Sequence, residues 1–189
     1  NPNLLRLVAD IMGSAPRLAR ILSRRRRVLD AVLDPGFFGN VPSPNDLASL
    51  IARELPPSFD MQETLDRARV VGSEQAFLIG VRVLSGSITA GQAGGAYAEL
   101  ADQLIQVLHA RVEEDLARAH GRVPGGAACV IAMGKLGGRE MTAASDLDLI
   151  VVYDFDQSVT QSAGLKPLAP SQYYARFTQR LISALAAQT

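Results

Sequence analysis

The sequence predicts an α+β fold: a mainly helical part to about residue 122, then a small sheet with a covering helix. Three observations predict it. Apolar residues recur at helical spacing, between recognisable caps, through most of the first 120 positions. Two apolar runs, 127–133 and 147–153, flank a glycine-containing turn and read as adjacent strands. The stretch 171–187 then carries Tyr174, Phe177, Leu181, Ile182 and Leu185 on one helical face, suited to covering that sheet. The expected division is 1–122 for a helical region and 123–189 for the core that bears the sheet. With 189 residues, 48% of them hydrophobic, the chain holds enough apolar mass for one larger domain or two small ones.

Taken in order, residues 3–12 place Leu4, Leu5, Leu7, Val8 and Ile11 on a helical face that Gly13 ends. Ser14 suits an N-cap, with Pro16 in the first turn of a helix carrying Leu18, Ile21 and Leu22. The arginine run 24–27 reads as a solvated or acid-contacting helix end. Val28, Leu29, Val32 and Leu33 give one more short helix, closed by Asp34-Pro35-Gly36. After a loop over 37–44, Ser43 caps a helix with Pro44 at its first position, and Pro56-Pro57 stops it. Asp60-x-x-Glu63 has capping-box form and opens a long helix to about Leu84. Gly86-Ser87 breaks it. A second such box, Thr89-x-x-Gln92, opens a helix to about His120, in which Gly94-Gly95 marks close helix packing. His109 and His120 are isolated and read as surface or partly packed. Residues 121–126 form a linker, and 157–170 a polar, mobile loop.

Composition narrows the function. The charges balance, 19 basic against 19 acidic, where a nucleic-acid binder shows a basic excess; no nucleic-acid partner is expected. No apolar run approaches a membrane span, no signal-type segment opens the chain, and no membrane association is expected. The single cysteine, Cys129, reads as a small buried hydrophobe; it cannot form an internal disulfide, which suits a cytoplasmic location. The chain begins Asn1-Pro2-Asn3 and stops at Thr189 directly after an amphipathic helix, so it reads as a piece cut from a longer protein.

The chemistry concentrates between Val130 and Asp154. Asp146 and Asp148 are one residue apart at the opening of the second strand. A strand has a side-chain period of two, so both carboxylates share a face, roughly 7 Å apart. Leu147, Leu149 and Val151 point the other way, into the core. Gly137 and Gly138 let the backbone turn sharply after the first strand and expose amides that suit phosphate. Ser145 offers a hydroxyl, and Lys135 and Arg139 are further candidates for phosphate contact; Glu140 reads as a turn-stabilising acid. A pair of hard oxygen ligands beside phosphate donors suits a nucleoside triphosphate held with Mg2+ or Mn2+ rather than zinc. Either feature alone is common at a strand end or a turn; in this order, between two apolar strands, the pairing is specific.

That order, Gly-Gly, a short spacer and Asp-x-Asp on a strand, resembles the nucleotidyltransferase superfamily. The string Met133-Gly134-Lys135-Leu136-Gly137-Gly138-Arg139-Glu140, continued by Ser145-Asp146-Leu147-Asp148-Leu149-Ile150, resembles the glutamine synthetase adenylyltransferase family, whose bifunctional members add and remove AMP on glutamine synthetase. Ser14-Ala15-Pro16-Arg17-Leu18-Ala19, Val28-Leu29-Asp30 and Leu33-Asp34-Pro35 resemble the helical segment which that family places ahead of its catalytic core.

The resemblance implies a nucleotidyltransferase-type sheet, incomplete in this chain, and Mg2+-dependent transfer of AMP from ATP to a tyrosine of glutamine synthetase. It implies Asp146 and Asp148 as catalytic metal ligands, with Gly137, Gly138, Ser145 and Lys135 toward the nucleotide. It implies glutamine synthetase and a PII-type nitrogen signalling protein as partners. The third carboxylate of such sites is expected beyond Thr189, in an Asp-Met-Arg-Leu-Arg-Pro-like segment. Asp154 shares the parity of Asp146 but lies about 27 Å down a straight strand. The piece alone is therefore expected to fold and to be inactive. Residues 167–176, Pro-Leu-Ala-Pro-Ser-Gln-Tyr-Tyr-Ala-Arg, resemble the carboxy-terminal, adenylylating half. The alternatives are the phosphorolytic, AMP-removing half, another nucleotidyltransferase acting on a small molecule or an RNA end, and a non-catalytic regulatory module.

Overall fold

A computed structural model describes residues 13, 30–32, 37–38 and 42–186. The expected helices within 3–29 and the arginine run 24–27 lie outside the described residues. Five helices and two strands follow from residue 44: α1 (Pro44–Glu54), α2 (Met61–Leu84), α3 (Ala90–His120), β1 (Ala127–Ala132), α4 (Gly134–Gly137), β2 (Leu149–Asp154) and α5 (Pro170–Ala186). The fold is α+β, mostly helical with one small antiparallel sheet.

The three long helical starts are set by local chemistry. Ser43, Asp60 and Thr89 each accept a hydrogen bond from the backbone three residues on, and Asp46, Glu63 and Gln92 reach back to the cap amide. Each reciprocal pair satisfies two N–H groups that the helix leaves orphaned. α3 is the spine. It packs against both α2 and α5, and its Leu108, Val112 and Leu116 share one buried cluster with Phe177, Leu181 and Leu185 of α5. Gly72 of α2 permits the close approach to α3, since a Cβ there would sit 3.1 Å from Leu104 Cδ1. Gly94 does not serve helix packing as the sequence suggested; its bare Cα faces the backbone of Arg139 and Glu140, and Gly95 faces open space.

β1 and β2 pair antiparallel in the register Ala127↔Asp154 to Ala132↔Leu149. Ala128, Val130, Ala132, Leu149 and Val151 form the inner face and pack on the α3 side of the core. The outer face carries Cys129, Ile131, Ile150 and Val152, all exposed, so Cys129 is not the buried hydrophobe expected. The cause is that, among the described residues, helices pack on one face of this sheet and leave the other bare. Both strands are shorter than the apolar runs. Met133 leaves the ladder to cap α4, and β2 begins at Leu149, although the Asp148 carbonyl still accepts from the Met133 N–H at 2.8 Å.

α5 buries Tyr173, Tyr174, Phe177, Leu181, Ala184 and Leu185. Ile182 is 57% exposed and does not belong to this face: a helix turns about 100° per residue, which swings position 182 away from the stripe through 177, 181 and 185. The Tyr174 ring stacks on Tyr153 of β2 at 4.7 Å, and Arg180 pairs with Asp115 of α3 at 2.6 Å. His109 is partly packed, with its ring edge on Phe177 at 4.9 Å.

The segment between β2 and α5, expected to be mobile, is strapped to the end of α3. Ser162 is buried; its hydroxyl donates to the His120 carbonyl and accepts from the Leu168 N–H. His120 Nδ1 donates to the Lys166 carbonyl at 2.6 Å, Ala163 N–H to the Arg122 carbonyl at 2.9 Å, and Lys166 N–H to the Ala119 carbonyl at 3.1 Å. Gly121 and Gly164 sit at the crossing, where a Cβ on either would overlap the other segment's backbone. These partners lie more than 40 residues apart, so turn composition alone suggested freedom that the tertiary hydrogen bonds remove.

Candidate active site

β1 delivers the chain to Met133 at the end of the sheet, and α4 turns it back. The turn requires Gly134, whose φ of 52° lies in the left-handed region that an L side chain enters at a cost of about 1–2 kcal/mol. A Cβ at Gly134 would overlap Asp148 Oδ2. The Asp148 carboxylate thus lies against the bare Cα of Gly134, in a cradle that any side chain would fill.

Gly137 and Gly138 stand at the other end of the same turn. A Cβ on Gly137 would come within 2.6 Å of the Ala132 carbonyl oxygen, so this glycine lets α4 fold onto the end of β1. Gly138 has ordinary φ, and its N–H closes α4 on the Gly134 carbonyl at 2.9 Å. Lys135 is exposed. Arg139 is engaged elsewhere: its guanidinium donates to Glu99 at 2.6 Å and to Asp102 at 3.0 Å, both on α3. Glu140 is exposed, and its N–H bonds the Lys135 carbonyl at 2.8 Å.

Ahead of β2, Ser145 closes a turn. Its hydroxyl oxygen accepts from the Thr142 N–H at 2.9 Å and lies 3.0 Å from Thr142 Oγ1. From there the side chains alternate. Asp146, Asp148, Ile150 and Val152 are exposed, while Leu147, Leu149 and Val151 turn inward. The two carboxylates therefore share the exposed parity of Ile150 and Val152, on the side of the sheet that none of the described helices covers. Asp146 also sits on the rim of a groove of about 590 Å³ between α2, α3 and the 141–147 segment. No hydrogen bond or ion pair engages either carboxylate among the described residues. Asp154 pairs with Ala127 at the far end of the ladder, away from Asp148.

Two exposed, unneutralised carboxylates on alternate residues fit a hard divalent cation that keeps water and phosphate oxygens as its remaining ligands. Among the described residues no group of three or more His, Cys, Asp or Glu side chains gathers at one point. Motif reading missed Gly134 as the glycine that touches a carboxylate. The available signal was its place immediately after the first strand, where a chain reversing onto the sheet needs positive φ.

Comparison with known proteins shows the family. The sequence model of the family described as glutamate-ammonia ligase adenylyltransferase matches residues 5–189. Over all 189 residues the chain is 48% identical to the bifunctional glutamine synthetase adenylyltransferase/adenylyl-removing enzyme of a Bradyrhizobium species. Identity is 48% to the enzyme of the same name from Rhizobium meliloti and 49% to that from Mesorhizobium japonicum. In each case the chain spans 19% of the relative's length. No helix among the described residues is long and apolar enough to cross a membrane. With matches over nearly the whole chain and a glycine-cradled Asp-x-Asp at the end of its sheet, the chain belongs to the glutamate-ammonia ligase adenylyltransferase family.

Proposed function

We propose that this chain supplies the nucleotide-binding carboxylates of a cytoplasmic enzyme that moves AMP from ATP to a tyrosine of glutamine synthetase. The observation that carries the reading is the uncovered pair Asp146 and Asp148, the latter seated against Gly134. In the reaction the tyrosine oxygen forms a bond to the α-phosphorus as the bond to the bridging oxygen breaks, and pyrophosphate leaves with that electron pair. Asp146 and Asp148 would hold Mg2+; when bound, it neutralises phosphate charge and lowers the pKa of a nearby hydroxyl. Asp148 is oriented by the cradle, and the alternation of Leu147 and Leu149 into the core keeps both carboxylates on one side. Gly137, Gly138, Ser145 and Lys135 border the same turn, and Lys135 is free to meet phosphate. The tyrosine proton would pass to a third carboxylate acting as base, which the family resemblance puts in a later segment. The open sheet face leaves room for a protein acceptor. A PII-type signalling protein as regulator rests on the family resemblance.

The adenylylating direction is supported by the 167–176 string. The AMP-removing direction is the second reading, since the names of the relatives cover both activities. The test is Asp146→Asn in a protein of the relatives' full length that carries this stretch, assayed with labelled ATP and glutamine synthetase. AMP incorporation should fall by at least ~100-fold while the fold stays intact, since changes at exposed sites stay within about 0.5 kcal/mol. Near-normal incorporation together with unchanged phosphate-dependent AMP release overturns the metal-binding role. Loss of phosphate-dependent AMP release with incorporation intact assigns the chain to the removing half.

A further inference from the structure

We propose that Arg139 is a positioning residue for this site: by pairing with Glu99 and Asp102 it clasps the α4 turn to α3 and so keeps Gly134 against Asp148. The inference rests on the function proposed above for the carboxylate pair.

The geometry forms a continuous path. Arg139 Nη2 meets Glu99 Oε2 at 2.6 Å and Nη1 meets Asp102 Oδ2 at 3.0 Å, so one guanidinium spans one turn of α3. The planar fork suits two separate carboxylates, where an ammonium would serve one. Glu99 is pre-set from its other side, for its Oε1 accepts from Gln103 Nε2 at 3.0 Å. The backbone of the same turn rests on α3 at Gly94, where a Cβ would meet the Arg139 carbonyl oxygen at 3.1 Å. Arg139 itself is held at φ 55°, a conformation that a non-glycine residue keeps only where its surroundings over-determine it. The Arg139 N–H bonds the Leu136 carbonyl at 3.1 Å, and the Gly138 N–H returns to Gly134. Arg139 is thus one short helical turn from the cradle, and α3 is the most deeply packed element to which that turn could be fixed. With both outer nitrogens on α3, the guanidinium is committed to the scaffold and Lys135 is left as the basic side chain of the turn that faces solvent.

The experiment breaks the clasp from each side in a protein of the relatives' full length. One variant is Arg139→Ala; the other is the double change Glu99→Gln and Asp102→Asn. The first readout is independent of activity: hydrogen exchange at the amides of 138–140. It should quicken about fivefold in both variants, the most that ion pairs of this exposure commonly give, with the β1–β2 ladder unchanged. The second is the Mg2+ concentration for half-maximal AMP transfer, which should rise about tenfold, as for other losses of ligand support, with kcat at saturation nearly kept. Arg139→Lys, which can hold one acid, should fall between. Unchanged exchange and Mg2+ dependence in both clasp variants, with transfer still abolished by Asp146→Asn, overturns the clasp and leaves the function standing. Full AMP transfer and full phosphate-dependent AMP release by Asp146→Asn overturn the function and, with it, the positioning role.

Discussion

Gly134→Ala probes the cradle directly. The new methyl group would be in a left-handed backbone conformation, at a cost of about 1–3 kcal/mol. Restricting the unfolded chain returns about 0.4–1 kcal/mol, so the net loss of stability is on the order of 1–2 kcal/mol. The steric part need not add to this. The overlapped atom is Asp148 Oδ2, the far end of an exposed side chain that can turn aside. For a chain of this size each kcal/mol lowers the melting temperature by about 2–4 °C, so a fall of roughly 2–8 °C is expected. Activity should suffer far more. Restoring van der Waals distance moves the carboxylate by about 1 Å, and a misplacement of that size costs ~100-fold. Thermal unfolding of this 189-residue chain and AMP incorporation by a protein of the relatives' full length measure the two effects. Incorporation within about threefold of the unaltered protein would refute the cradle as the device that aims Asp148. A melting temperature lower by 15 °C or more would refute the claim that the carboxylate yields instead of the backbone.

Other consequences follow from the packing and the strap. Leu181→Ala removes a side chain with no exposure between α5 and α3 and should cost about 2–5 kcal/mol in urea unfolding; a loss below 1 kcal/mol would mean that α5 is not part of the main core. Gly164→Ala places a Cβ onto the His120–Gly121 backbone, which cannot swing aside as a side chain can; about 1–3 kcal/mol is expected, and an unchanged unfolding midpoint would remove the strap from the cooperative unit. Glu99 is held below its ordinary 4.5, first by the Gln103 hydrogen bond and then by Arg139. A depressed carboxylate stabilises the fold above its ordinary range and loses that contribution as pH falls through the folded value. The stability gap between the unaltered protein and Glu99→Gln should therefore be open at neutral pH and close in acid; a gap that persists in acid refutes it.

What the sequence disclosed was what short-range chemistry controls. The starts of α1, α2 and α3 were readable because each cap and its partner lie three residues apart. The shared face of Asp146 and Asp148 was readable because strand parity carries through the extended approach to β2. α4 was not readable: its four residues include two glycines, poor helix formers, and the turn forms because the chain reverses onto β1. Gly134 was hidden behind the better-known Gly137-Gly138 pair. The Arg139 contacts reach 37 and 40 residues back, a separation at which composition gives no guide. Ile182 was misplaced because an apolar residue beside a stripe looks like a member of it.

The crossing of residues 162–168 over the end of α3 also decides where this protein tolerates added length. Surface connections are ordinarily the safest places to splice in a tag or a reporter, but tolerance follows backbone hydrogen bonding and not mere position on the surface. Leu165 is 95% exposed and looks like an ideal insertion point. It lies between Ala163 and Lys166, whose amides are bonded to Arg122 just past α3 and to Ala119 in its last turn, so an extra residue there shifts one anchor out of reach of the other. Among the described residues, the Ser85–Ser87 bend between α2 and α3 is hydrogen-bonded to its own helix end, at residues 81–83. A peptide inserted beside Gly86 lengthens a link whose two helices are already held side by side, and it should leave the carboxylate pair undisturbed.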